Sequence, residues 1–390
     1  MPRPASFSFH VPTTIEYGPG NLAKLPGFVR QLGGKRVLVV GDPGVKAAGI
    51  VERVLSTLNA ADIDAVAFTE VESDPAVQSV TDGIAMARDK SCDLIVGVGG
   101  GSALDTAKAI GLMLGNAGTI RDYVGIGKVP HAGAPVIAIP TTSGTGSELT
   151  IWSVLSDTDA DIKISIGSVY NCPRIGLLDP ELTKSLPAKF TAATGMDALT
   201  HAIESCVNKA SQPITEALAY QAIALIGKSL RQATHYGADI DARGDMLLAS
   251  AMAGIAFNAT RLGLVHAFAL PLGNKFGIAH GLVNAIMLPA VMAYNASSNP
   301  EAYARVAALL GEDVTGLPNG EAASHAALAV QNLRRDIGIT QTLADFGVTE
   351  DRFDEIIGEA MQSGNVAVNP RRPTADDMAA LLRHGIAGTI

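Results

Sequence analysis

The sequence predicts an α/β N-terminal half, a doubly wound, Rossmann-like parallel sheet, followed by an all-α C-terminal half. Three observations carry this reading. Short apolar runs rich in β-branched residues alternate with helical patterns up to about residue 181, two of those runs end in glycine-rich turns, and past that point long Ala- and Leu-rich periodic segments replace them. Strand alternating with helix is the mark of a parallel sheet covered on both faces. A chain of 390 residues exceeds one ordinary hydrophobic core, so two domains are expected, 1–181 and 182–390.

In order along the chain, KRVLVVGD (35–42) reads as a strand ended by an Asp-Pro-Gly turn, VKAAGIVERVLSTLNAAD as a helix, and DAVAFTEV as a second strand. AVQSVTDGIAMARDK is the next helix, and CDLIVGVGGGS and PVIAIPTTSGTGS are strands running into glycine-rich loops. The segment LLDPELTKSLP (177–187) interrupts regular structure with two prolines, which sets the expected boundary there,. Beyond it PITEALAYQAIALIGKSLRQATHYG and EAYARVAALLGE carry helical periodicity,.

Composition narrows the function. A net charge of −9 opposes partnership with nucleic acid or an anionic membrane surface, since both call for basic patches,. The three cysteines lack CxxC spacing, which opposes a disulfide framework or thiolate zinc site and fits a reducing cytoplasm,. The opening MPRPASFSFHVPTT has no apolar signal core, and LVNAIMLPAVMA (282–293) is too short to span a bilayer,. The expectation is a cytoplasmic protein acting on a small molecule.

Two loops offer a nucleotide site. In LIVGVGGGSALDTAK, Gly99, Gly100 and Gly101 allow close backbone approach to a ligand, and Ser102 starts a helix whose positive end favours phosphate,. The spacing departs from GxGxxG, so a purely structural turn is an alternative. PTTSGTGSE (140–148), with Thr141 and Thr142, follows another strand, so both loops face the carboxyl edge of the sheet, where such folds bind ligands,. Asp42, at the end of the first strand, suits adenosine ribose hydroxyls and would repel a 2′-phosphate; a plain turn residue is the other reading,.

The candidate metal site begins with ATGMDALTHAIES, a helix placing Asp197 and His201 one turn apart on one face,. GLVHAFALPLGNKFGIAHG adds His266 and His280 in otherwise apolar surroundings. One carboxylate with three imidazoles suits Fe2+ or Zn2+ and is too rich in nitrogen for Mg2+ or Ca2+.

At these residues the chain resembles the iron-dependent (group III) alcohol dehydrogenases, of the superfamily that includes glycerol dehydrogenase and dehydroquinate synthase. The resemblance runs from FHVPTTIEYGPG to NPRRPTADDM and includes GGGSALDTAK, PTTSGTGSE and LPAKFTAATGMDALTHAIES. It implies a catalytic divalent metal on Asp197, His201, His266 and His280, with Fe2+ expected and Zn2+ the alternative. It also implies NAD held by the glycine turn and by Thr141–Thr142, with Asp42 setting NAD preference, and a site between the two domains. The implied activity is hydride transfer between NAD(H) and an alcohol or aldehyde. Relatives form homodimers or larger homo-oligomers. Trp152 and Phe257 match positions lining the substrate cleft.

Two departures stand out. Many relatives carry a second histidine four residues after the metal ligand, where this chain has Leu270, and a small or neutral residue where this chain has Arg261. Leu270 leaves proton transfer to bound water, a cofactor ribose hydroxyl or a threonine such as Thr142 or Thr150. Arg261 suits a substrate with an acidic group, or an ion pair with one of the chain's acids. Three other functions share parts of this pattern: a maleylacetate-reductase-like enzyme on an acidic oxo substrate, a dehydroquinate-synthase-like cyclase, and a non-catalytic NAD sensor.

Overall fold

The computed structural model describes residues 6–160 and 162–390. The chain divides into two compact units, one of them Val11–Leu186 and the other built on Pro187–Ile390. No single helix among the described residues is long and apolar enough to cross a membrane.

Val11–Leu186 holds the strands β1 (Thr14–Tyr17), β2 (Arg36–Val40), β3 (Asp64–Phe68), β4 (Leu94–Gly99), β5 (Gly125–Ile126), β6 (Val136–Pro140), β7 (Trp152–Asp157), β8 (Ile162–Gly167) and β9 (Ile175–Leu178). Its helices are α1 (Leu25–Gln31), α2 (Pro43–Ala47), α3 (Ile50–Asn59), α4 (Val77–Asp89) and α5 (Gly101–Met113). Six strands form a parallel sheet in the order β1-β9-β6-β4-β2-β3, while β5, β8 and β7 make a small second sheet. Strands β4, β6 and β9 are buried along their whole length, as expected of a sheet covered on both sides,. Apolar residues fill both covers: Leu38, Ile95 and Ile110 pack with one set, Val37, Val39, Val54 and Ile137 with the other.

The sequence reading differs from this fold in identifiable places. The single helix expected over 45–62 is two, because Gly49 takes a left-handed φ of 72° and α3 restarts after it,. Strands β1, β5, β7, β8 and β9 went unread. Three of these, β1, β5 and β9, have four or fewer residues, too short for periodicity to register,.

The other unit is helical: α6 (Ala188–Val207), α7 (Pro213–His235), α8 (Ile240–Thr260), α9 (Leu264–Phe276), α10 (His280–Ala296), α11 (Pro300–Leu309), α12 (Asn319–Asp336), α13 (Phe353–Ala360), α14 (Gly364–Val368) and α15 (Ala375–Ala387). Its core joins Met196, Leu199 and Ile203 of α6 to Ile223, Phe268, Ile286 and Leu333. Nearly all of α6 is buried from Gly195 to Val207, so its polar members sit inside rather than on a solvated face. That is costly unless each is paired, and it makes Asp197, His201 and Glu204 the residues to follow.

Candidate metal centre

Asp197 and His201 project from one side of α6, His266 from the first turn of α9, and His280 opens α10. The candidate ligand atoms of these four residues lie within 4.8 Å of one another. Asp197 Oδ1 stands 3.6 Å from Nε2 of each of the three histidines. Asp197, His201 and His266 are 3–5 % exposed, whereas the His280 side chain is 45 % exposed, so the cluster opens on its side. The His201 ring stacks on Phe257 at 4.5 Å between centroids and on His266 at 4.7 Å. Phe257 therefore walls one side of the cluster.

The electrostatics favour a cation. Burial alone would raise the Asp197 carboxyl, but His201, a hydrogen bond from His266 and the charge of His280 hold it far below its ordinary value. Burial opposes a charged His266; hydrogen bonds to Asp197 and Glu204 outweigh it and push the imidazole up to about 9. Two carboxylates flanking one buried imidazole make a negative well that a divalent ion can fill in exchange for protons.

Two further side chains complete the pocket, and the sequence reading passed over both. Asn284, one turn after His280, donates from Nδ2 to Asp197 Oδ1 at 2.7 Å and lies 3.2 Å from Nε2 of His266 and of His280. Glu204 accepts from His266 Nδ1 at 2.7 Å. Glu204 was within reach of sequence reasoning: it lies seven residues after Asp197, on the same helix face,.

The loops of Val11–Leu186 gather at the carboxyl ends of the adjacent strands β2, β4 and β6. The Thr141 N–H donates to the Gly99 carbonyl at 2.9 Å. A Cβ on Gly101 would sit 2.7 Å from the Thr145 side chain, so the second loop rests against the glycine turn. Helix α5 begins at Gly101, one residue before the expected start, and the Ser102 hydroxyl donates to the Ser73 carbonyl. Asp42 caps α2, accepting from the Val45 N–H at 2.9 Å through Oδ1, while Oδ2 faces Gly99. Both of its readings are thus compatible, one oxygen serving the turn and the other left toward the glycines. Beneath the loops lies a buried ion pair: Lys108 Nζ is 3.2 Å from Asp105 Oδ1 and donates to Ser147 Oγ at 2.8 Å and to the Ser147 carbonyl at 3.0 Å.

The remaining residues fall as follows. Trp152 is half-buried in β7, its indole lying over Gly167. Thr150 is buried, and its hydroxyl accepts from Lys108 Nζ at 3.3 Å. Leu270 is 37 % exposed on α9, one turn after His266. Arg261 terminates α8 at φ 63° and ψ −168°, conformational space nearly reserved for glycine,. Its guanidinium lies over Gly364, and no carboxylate among the described residues forms an ion pair with it.

Comparison with known proteins places this geometry. Residues 12–180 match the iron-containing alcohol dehydrogenase family, and residues 191–386 match its C-terminal domain, described as Fe-containing alcohol dehydrogenase family, C-terminal. The chain belongs to the iron-containing alcohol dehydrogenase family. It is an oxidoreductase of the alcohol dehydrogenase type. It is similar to the 1,3-propanediol dehydrogenase of Klebsiella pneumoniae, 42% identical over 97% of this chain and 98% of the relative. It is also similar to the NAD-dependent methanol dehydrogenase of Bacillus methanolicus, 38% identical over 97% of this chain and 100% of the relative. A solved 1,3-propanediol oxidoreductase superposes with a TM-score of 0.95 at 42% identity, covering 97% of this chain and all of the other. Alcohol dehydrogenase is the function these relatives share.

Proposed function

We propose that the chain oxidises a short primary alcohol or diol, or reduces the matching aldehyde, with NAD(H) and one divalent metal, Fe2+ or Zn2+, held by Asp197, His201, His266 and His280. The observation carrying this is the convergence of one carboxylate and three imidazoles in a buried, negatively polarised cluster, within a chain similar to dehydrogenases of 1,3-propanediol and of methanol. When bound, the metal supplies Lewis acidity toward the substrate oxygen and NAD supplies the hydride acceptor.

The protein's own residues do the rest. Asn284 holds the Asp197 carboxylate in place, and Phe257 keeps water from the His201 side. The free N–H groups at the start of α5 suit a pyrophosphate, and Asp42 Oδ2 suits ribose hydroxyls,. Thr141 and Thr142 border the glycine turn.

The test is an assay of short alcohols and aldehydes with NAD and with NADP, with metal analysis of the same sample. We expect turnover with NAD and one divalent metal per chain. Asp42→Gly should relax the preference for NAD while leaving stability nearly unchanged, because glycine replaces an N-cap aspartate at a cost of only a few tenths of a kcal/mol. Equal use of both cofactors by the unmodified protein would contradict the role of Asp42.

Leu270 carries a second expectation. Its side chain cannot titrate, so the pH–rate profile should lack an inflection near 6.5, the value for an ordinary histidine. Leu270→His should introduce one and shift preference toward smaller, more polar alcohols. If the unmodified enzyme already follows a group of that pKa, another relay histidine is present and Leu270 has been given the wrong weight.

A further inference from the structure

We propose that Glu204, braced by Asn369, is the positioning residue that fixes His266 in the tautomer and orientation needed for a metal; this rests on the four-ligand reading above. The first N–H groups of any helix have no partner within it. At α9 distant side chains take them. Glu204 Oε2 accepts from Gly263 N at 2.8 Å as well as from His266 Nδ1 at 2.7 Å, and Oε1 accepts from Val265 N at 2.8 Å. The intervening Leu264 N–H goes to Asn369 Oδ1 at 3.3 Å. No slack remains: a Cβ on Gly263 would meet Glu204 Oε1 at 2.7 Å and Asn369 Oδ1 at 3.0 Å.

Asn369 is itself locked. It exchanges two hydrogen bonds with Asn295, at 3.1 and 2.8 Å, and donates to the Arg371 carbonyl at 2.7 Å. Asn295 lies on α10, the helix that begins with His280. The Asn-Pro-Arg-Arg segment at 369–372 thus ties together α9 and α10, the helices carrying two of the four proposed ligands, His266 and His280.

The chemistry depends on the carboxylate. The Glu204 carboxyl oxygens already accept from two backbone N–H groups, so His266 must present a proton to it from Nδ1, which leaves Nε2, the nitrogen facing Asp197, as the one a metal would take,. A glutamine has the same shape but one donor and one acceptor. With its NH2 in the Oε2 place it confronts the Gly263 N–H and drives the imidazole proton to Nε2, where a metal must bind. With its NH2 in the Oε1 place it confronts the Val265 N–H instead. Either way a contact that the carboxylate satisfies is lost.

The experiment is Zn2+ binding by the full chain in competition with a chromogenic chelator, alongside thermal unfolding of the metal-stripped protein. Glu204→Gln should weaken Zn2+ affinity by roughly 10- to 100-fold, the usual range for such partners, while the stripped protein still unfolds cooperatively. Asn369→Ala, which leaves the carboxylate in place, should weaken it by a smaller factor and serves if Glu204→Gln does not fold. Wild-type Zn2+ affinity in both variants, or in Asn369→Ala alone if the other is unfolded, overturns the proposal. If the unmodified chain binds no Zn2+, the four-ligand reading fails first and takes this inference with it.

Discussion

Replacing His266 or His280 with alanine is expected to remove the bound metal and lower turnover by at least about 10³-fold, with NAD binding retained. A Lewis acid at the reacting oxygen is worth several kcal/mol, and each 1.36 kcal/mol is a factor of ten. Cofactor affinity should survive because Asp42, the glycine turn and Thr141–Thr142 belong to Val11–Leu186, a unit with its own core. The two variants should differ in stability. His266 is buried and its loss leaves the Glu204 carboxylate without one of its donors, a penalty of about 1–3 kcal/mol. The His280 side chain is 45 % exposed, so its replacement should cost less. Metal analysis, cofactor titration and thermal unfolding of both proteins check each part. Stoichiometric metal and full turnover in the double variant would refute the assignment.

The sequence made some of this visible and hid the rest for physical reasons. Asp197 and His201 are one helical turn apart, so local spacing alone reports that they share a face. Nothing local says that His266 and His280, on two further helices, meet them; only the resemblance supplied that step. Glu204 and Asn284 escaped notice because each acts through a ligand, and a buried carboxylate in a helix looks like a solvated one until its partners are known. Residue Asn369 lies more than a hundred positions from the N–H it accepts, a separation that no periodicity encodes. In the sheet, the long buried strands β2 and β4 were readable from composition. The four-residue edge strand β1 was not, because it is defined by pairing with β9, 161 residues away.

The second large effect concerns Glu148, in the loop that follows Thr141 and Thr142. Glu148 is 1 % exposed, and its Oε1 has no hydrogen-bond partner among the described residues. Burial pushes its carboxyl up to about 7; its own backbone N–H and Lys108 oppose the shift, and Asp105 adds to it. The folded protein therefore holds this proton more tightly than the unfolded chain, whose carboxyl titrates near 4.5. Protons favour the fold, so the stabilising contribution is complete below about pH 4.5 and is lost as pH rises toward 7. The loss integrates to about 3 kcal/mol. Glu148→Gln imitates the neutral acid at every pH. It should match the wild type near pH 4.5 and exceed its stability by about 3 kcal/mol at pH 8. Unfolding curves of the two proteins from pH 4 to 8 isolate this group, since every other titration is shared. A difference that stays constant across the range would mean that Glu148 is ionised throughout, drawn into the Lys108–Asp105 pair. The loop would then be held by charge rather than by a buried proton.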